Sequence, residues 1–139
     1  MKEIELRKRL TDTLSKLYGM NTLTRLEEFW QGEQRVLYYL CQHEGGEINP
    51  SALSHDLHVS RARITTALTA LRKKGYITME LCQKDRRRMR VIMTENGRHY
   101  INAKQAEIEA GFDRLIGGLG ENETLKFIEL IQKSIDIMN

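Results

Sequence analysis

Residues 84–90 read Lys-Asp-Arg-Arg-Arg-Met-Arg, five cations and one anion in seven positions. Side chains of that type and density pair with closely spaced phosphates. Duplex DNA carries about one negative charge per 1.7 Å of axis, so a projecting tip with several guanidiniums fits a minor groove and its flanking phosphates. A solvated charged face is the competing reading, and the flanking residues must decide. On one side Ile77, Met79 and Leu81 alternate with Thr78, Glu80 and Cys82; on the other Val91-Ile92-Met93 returns after a turn through residues 83–89. That pattern predicts a two-stranded ribbon that holds Lys84, Asp85, Arg86, Arg87, Arg88 and Arg90 outward.

A second set of reactive types lies upstream. Ile64, Leu68 and Leu71 fall at i, i+4 and i+7, which predicts a helix with these residues buried and Arg61, Ala62, Thr65, Thr66 and Thr69 on the outer side, flanked by Arg63. Arginine can hold guanine O6 and N7 with two hydrogen bonds; a threonine hydroxyl reaches phosphates while its methyl contacts thymine. Ser60 is placed to cap this helix, and Lys73-Lys74-Gly75 ends it with cations at the negative end of the dipole and glycine at C′. Just before it, Asn49-Pro50 opens a short helix with Leu53 and Leu57 inward, and His58-Val59-Ser60 forms a tight turn. Short helix, three-residue turn, reading helix and ribbon make a winged helix-turn-helix.

The remaining elements must support that reader. Ile4, Leu6, Leu10, Leu14 and Leu17 predict a helix over residues 2–18, ending before Gly19. One helix is expected to run from about residue 23 through Phe29 and Trp30 to Val36, Leu37, Leu40 and Cys41, stopping at Gly45-Gly46. Thr94 is the expected N-cap of the helix after the ribbon. Residues 99–116, with Tyr100, Ile101, Ile108, Phe112, Leu115 and Ile116, and residues 121–138, with Leu125, Ile128, Ile131, Ile135 and Met138, read as long amphipathic helices separated by Gly117-Gly118. These terminal helices carry more apolar face than one small winged domain can cover, which fits an intertwined homodimer with Leu10, Leu14, Leu17, Ile128, Ile131 and Ile135 at its seam. The expected fold is mainly α with a small β-wing: about six helices and a two-stranded ribbon. Residues 1–22 form a dimerisation helix, 23–98 the winged domain and 99–139 the C-terminal dimerisation helices.

Composition agrees. A chain of 139 residues with 40% hydrophobic content supports one domain with a modest core, or one that completes its core by dimerising. The net charge of +3 conceals a division: residues 61–98 hold eleven Lys/Arg against three Asp/Glu, a net of +8, between acidic flanks of −2 and −3. A basic centre between acidic ends is a localised electrostatic footprint. No apolar run approaches membrane-spanning length and no signal-peptide core is seen, so the expectation is a soluble cytoplasmic protein.

The run from Ser51-Ala52-Leu53 through Val59-Ser60, Ile64-Thr65, Leu68, Leu71, Lys74-Gly75-Tyr76-Ile77, Asp85-Arg86-Arg87, Val91 and Met93-Thr94-Glu95-Asn96-Gly97 resembles the MarR family of bacterial transcription regulators. Gln34 also matches a glutamine of that family, and Leu119-Gly120-Glu121-Asn122-Glu123 resembles its Leu-Ser-Glu-Glu-Glu turn; here Met93 stands for leucine and Gly120 for serine. The resemblance implies a triangular homodimer on a pseudo-palindromic operator, most often a repressor. It further implies that Asp85 orients Arg87 or a neighbour, that Arg86, Arg87 or Arg88 enters the minor groove, and that an unnamed small-molecule effector shifts the spacing of the two reading helices.

Other chemistries are weaker. Cys41 with His43 and Glu44 has ligand types for zinc or copper, although a cysteine on the apolar side of a helix behaves as a small hydrophobe. Cys82 at the base of a basic wing has the electrostatic setting of a reactive thiol, but no resolving cysteine lies near it in sequence. His55 and His58, three apart, fit phosphate contact or solvation better than coordination. No GxSxG, HExxH, Walker loop or paired-carboxylate motif occurs, so neither catalysis nor a cofactor is expected. Thiol- or metal-responsive regulators of the same fold, and a winged-helix protein-interaction module without DNA, are the alternatives.

Overall fold

The computed structural model describes residues 1–82 and 87–139. Among them are seven α-helices, one 3-10 turn and one antiparallel hairpin: α1 (Glu3–Ser15), the 3-10 turn (Lys16–Gly19), α2 (Asn21–Phe29), α3 (Gly32–Gln42), α4 (Pro50–Leu57), α5 (Arg61–Lys73), β1 (Ile77–Leu81), β2 (Met89–Met93), α6 (Glu95–Leu119) and α7 (Glu121–Met138). The core joins α3, α4, α5, the base of the hairpin and α6. Leu37, Leu53 and Leu71 are fully buried, and Ile64, Ile77 and Ile101 nearly so.

Helix boundaries differ from expectation in three places, the first at α1, which stops at Ser15 and passes into the 3-10 turn where one helix was expected to run to residue 18. The helix expected over 23–41 is two helices, which raises the count from about six to seven. Gln31 is extended and Gly32 takes φ +54°, so the chain turns between Phe29 and Glu33. Phe29 and Val36 are both buried and seven residues apart, a spacing that one continuous helix would also satisfy, so apolar periodicity cannot reveal the break. Glycine, which adopts the left-handed region without a Cβ clash, is what permits it. Conversely, Gly117-Gly118 does not separate the last two helices, because α6 runs through both as a 25-residue helix. Two glycines cost a helix roughly 1 kcal/mol each, which its hydrogen bonding tolerates; the stop comes at Gly120, φ +82°, whose N–H donates to Ile116 O at 2.8 Å.

The caps behave as expected. Asn49 Oδ1 accepts from Ala52 N at 2.8 Å and Ser60 Oγ from Arg63 N at 3.2 Å. Thr94 is bound twice: Oγ1 accepts from Gly97 N at 3.1 Å and donates to Gly75 O at 2.6 Å. It thereby fastens the start of α6 to the end of α5. There Tyr76 N donates to Leu71 O at 3.0 Å and Gly75 N to Arg72 O at 3.1 Å, the paired bonds of a Schellman stop around Gly75 at φ +78°.

At the termini the apolar surface is uncovered. Neither α1 nor α7 contains a buried residue; α1 contacts chiefly the 3-10 turn after it, and α7 chiefly α6. Leu10, Leu14, Leu17, Ile128, Ile131 and Ile135 are all exposed. No helix of the described residues is long and apolar enough to cross a membrane.

Candidate nucleic-acid interface

The reading helix α5 is set by three attachments. Its inner side, Ile64, Ala67, Leu68 and Leu71, is buried. At its start, His58 in the left-handed conformation (φ 54°) turns the chain from α4 into α5. At its end, Lys74 Nζ pairs with Glu33 at 2.8 Å, which joins the helix to the first turn of α3; the carboxylate beside it raises the Lys74 pKa. With the inner side anchored, Ser60, Arg61, Ala62, Arg63, Thr65, Thr66 and Thr69 are exposed, the outward set read from the sequence.

Two features of that face could not be read from residue types. Arg61 Nη1 donates to Ser51 Oγ in the first turn of α4, so this guanidinium already has a partner before any base is present. The three threonine hydroxyls donate to their own helix: Thr65 to Arg61 O at 2.9 Å, Thr66 to Ala62 O at 3.0 Å and Thr69 to Thr65 O at 2.8 Å. Arg63 borders a groove of about 550 Å³ between α5 and the α2–α3 junction, together with Arg35, Val36, Ala67 and the indole of Trp30, which is 62% exposed.

The wing pairs Ile77 with Met93, Thr78 with Ile92, Met79 with Val91, Glu80 with Arg90 and Leu81 with Met89. Arg87 and Arg88 are exposed where the chain enters β2. Lys84, Asp85 and Arg86, and with them the orienting role expected of Asp85, lie outside the described residues. Arg90 departs from expectation. It belongs to β2 rather than to the loop, is only partly exposed, and its Nη2 lies 3.4 Å from Glu80 across the ladder, which draws its charge back onto the hairpin. The strand alternation also fails at the wing's far end: Leu81 is 57% exposed while Cys82 is 5% exposed. The ribbon leaves the core as it rises, so Ile77 is buried, Met79 half-buried and Leu81 uncovered, and Cys82 follows the end of the strand, with its N–H on Arg88 O at 2.8 Å.

The candidate sensor residues have other partners. Cys41 Sγ lies 3.6 Å from Met93 Sδ and burial pushes its thiol pKa up, with Arg98 opposing; His43 stacks on Tyr39 at 4.0 Å; Glu44 pairs with Arg98. These residues are therefore not gathered around a common point, and no group of three or more His, Cys, Asp or Glu poised for a metal occurs among the described residues. His55 Nδ1 lies 3.1 Å from Asp56 Oδ1, and Asp56 also accepts from the Tyr39 hydroxyl. That bond, together with burial, raises the Tyr39 pKa to about 12, and hydrogen bonds from Tyr39 and His55 lower that of Asp56. This cluster sits on α3 and α4, and sequence patterning missed it because Tyr39 and Asp56 are 17 residues apart.

A family model described as a winged helix DNA-binding domain matches residues 33–110, from the start of α3 well into α6. The chain belongs to the winged helix DNA-binding domain family. Solved structures with the same winged-helix fold include the YusO protein from Bacillus subtilis, with TM-score 0.77 and 21% identity over 98% of this chain and 99% of that one. The Staphylococcus aureus MepR-DNA complex superposes with TM-score 0.74 and 20% identity over 95% of this chain and 99% of that one. MepR itself, described as a transcription regulator of the multidrug efflux pump MepA of that organism, gives TM-score 0.69 and 18% identity over the whole of both chains. The winged-helix architecture implied by the MarR resemblance is thus the architecture of this chain.

Proposed function

We propose that this winged helix protein is a sequence-specific, DNA-binding transcription regulator that acts as a homodimer in the cytoplasm, a ligand-responsive repressor on a pseudo-palindromic operator. The observation that carries the reading is the capped α5, whose exposed face runs from Ser60 to Thr69 beside a wing with Arg87 and Arg88 exposed, all inside the one strongly basic stretch of the chain. In this arrangement α5 enters the major groove while the wing reaches the adjacent minor groove. The contacts assigned to DNA are Ser60, Arg61, Arg63, Thr65, Thr66, Lys84, Arg86, Arg87 and Arg88, with Asp85 orienting its arginine neighbours and Arg90 turned toward Glu80.

Dimerisation is supported by the bare apolar faces of α1 and α7, with residues 1–22 and 99–139 as the dimerising parts around the reader at 23–98. Ligand response is supported by the groove against α5, where an occupant would touch the reading helix directly. With Cys82 buried and Cys41, His43 and Glu44 bound elsewhere, a small molecule is a better signal than an oxidant or a metal.

Duplex binding measured by fluorescence anisotropy over a salt series tests the reading. Affinity should fall steeply, with log K linear in log salt and a slope set by the phosphates contacted. A flat response from folded protein would remove the DNA function and leave the protein-interaction module in its place.

A further inference from the structure

We propose that the α5 face reads the 5-methyl groups of thymine, so that the preferred duplexes carry thymines over about three successive base-pair steps. The inference rests on the DNA-binding reading and specifies what the helix recognises. Each threonine carries a hydroxyl and a methyl on Cβ, and in Thr65, Thr66 and Thr69 the hydroxyl proton is committed to a carbonyl four residues earlier. Donation to a base acceptor such as guanine O6 would require breaking that bond. With its proton given to the backbone the hydroxyl can only accept, which leaves the methyl as the side chain's group suited to an apolar partner.

Ala62, Thr65, Thr66 and Thr69 stand at i, i+3, i+4 and i+7, and all four are exposed. They form one methyl-bearing strip of about 10 Å at 1.5 Å per residue, and a helix stretch of that length set in a major groove faces about three successive bases. The cations flank it: Arg61 is held by Ser51, and Arg63 borders the groove toward Trp30, which Ala62 and Thr66 line as well. Among the groups that bases present in the major groove, the thymine methyl is the apolar one.

Duplexes selected by the full-length protein from a randomised pool provide the probe, compared by anisotropy with versions in which each thymine is replaced by uracil, which lacks only the methyl. Each contacted thymine should cost about fourfold in affinity when so replaced, the equivalent of one buried methyl. The triple variant Thr65→Ser, Thr66→Ser, Thr69→Ser should lose the thymine preference at the positions these three residues face, leaving at most the single position facing Ala62. The corresponding triple valine variant, which keeps the methyls and loses the hydroxyls, should retain the difference. Thermal melting confirms that both remain folded. Tight binding that ignores the thymine methyl, or a valine variant as indifferent as the serine one, overturns the inference and leaves the DNA function standing. Failure to bind any duplex at low salt overturns both.

Discussion

Gly97 shows how much a single residue can constrain this fold. A Cβ built there would lie 2.2 Å from Tyr76 O, the carbonyl that also accepts from Thr94 N at 3.0 Å. The obstacle is backbone held by a hydrogen bond and cannot swing away. Gly97→Ala should therefore destabilise the protein by about 1–3 kcal/mol or more in chemical denaturation; a variant as stable as the parent would show that α6 is free to shift at its start. The Tyr39–Asp56 bond gives a second expectation. Tyr39 is neutral when it donates, and its pKa is raised from 10.0 to about 12, so its contribution is complete below pH 10 and lost as pH climbs toward 12. Tyr39→Phe should flatten the alkaline decline of melting temperature across that window, whereas an unchanged decline would mean the bond contributes nothing. The caps Asn49, Ser60 and Thr94 were legible in sequence because each acts on residues two or three positions away. Gly97 was legible only as part of a family motif, since its reason is a carbonyl 21 residues earlier.

Elements were legible where their inward faces meet the core and less so where a turn interrupts the pattern. The reading helix, its partner helix and the existence of the two-stranded hairpin follow from apolar spacing and turn residues. The break at Gln31–Gly32 did not, because Phe29 and Val36 preserve helical phase across it. The far end of the wing did not either, because a ribbon that leaves the core no longer needs Leu81 inside. The junction of these elements is Thr94, which binds Gly75 at the end of α5 and Gly97 in α6 with one hydroxyl. Thr94→Val keeps the shape and removes both bonds. It should cost about 1–2 kcal/mol and raise amide exchange in the last turn of α5 and the first turn of α6 together. Exchange increased at one end only would mean that the two helices are not coupled through this residue.

For the whole molecule, the uncovered faces of α1 and α7 are what a single chain leaves unexplained. Ile131 and Ile135 lie on the same side of α7, four residues apart, and burying each in a seam would contribute roughly 1.5–3 kcal/mol. Ile131→Asp places an unpaired carboxylate there and should yield monomers or unfolded chains in sedimentation, whereas Arg88→Asp should leave the dimer intact and abolish duplex binding. A folded, dimeric Ile131→Asp protein would show that α7 lies outside the seam. The sequence could suggest this seam through excess apolar surface, but it could not say which helices meet, since that depends on the position of a second copy.

The uninterrupted course of α6 has a mechanical consequence. At 1.5 Å per residue its 25 residues span about 37 Å, from the Thr94 junction beneath the wing to Gly120 beside α7. A continuous helix of that length transmits angle as displacement: a tilt of about 5° at the Gly120 end would carry the wing end about 3 Å, close to one base-pair rise. Had the chain bent at Gly117-Gly118, the glycines would have absorbed that tilt locally. As a continuous helix, α6 would carry a disturbance among the terminal helices to the reader as a shift of nearly a full step along a bound duplex.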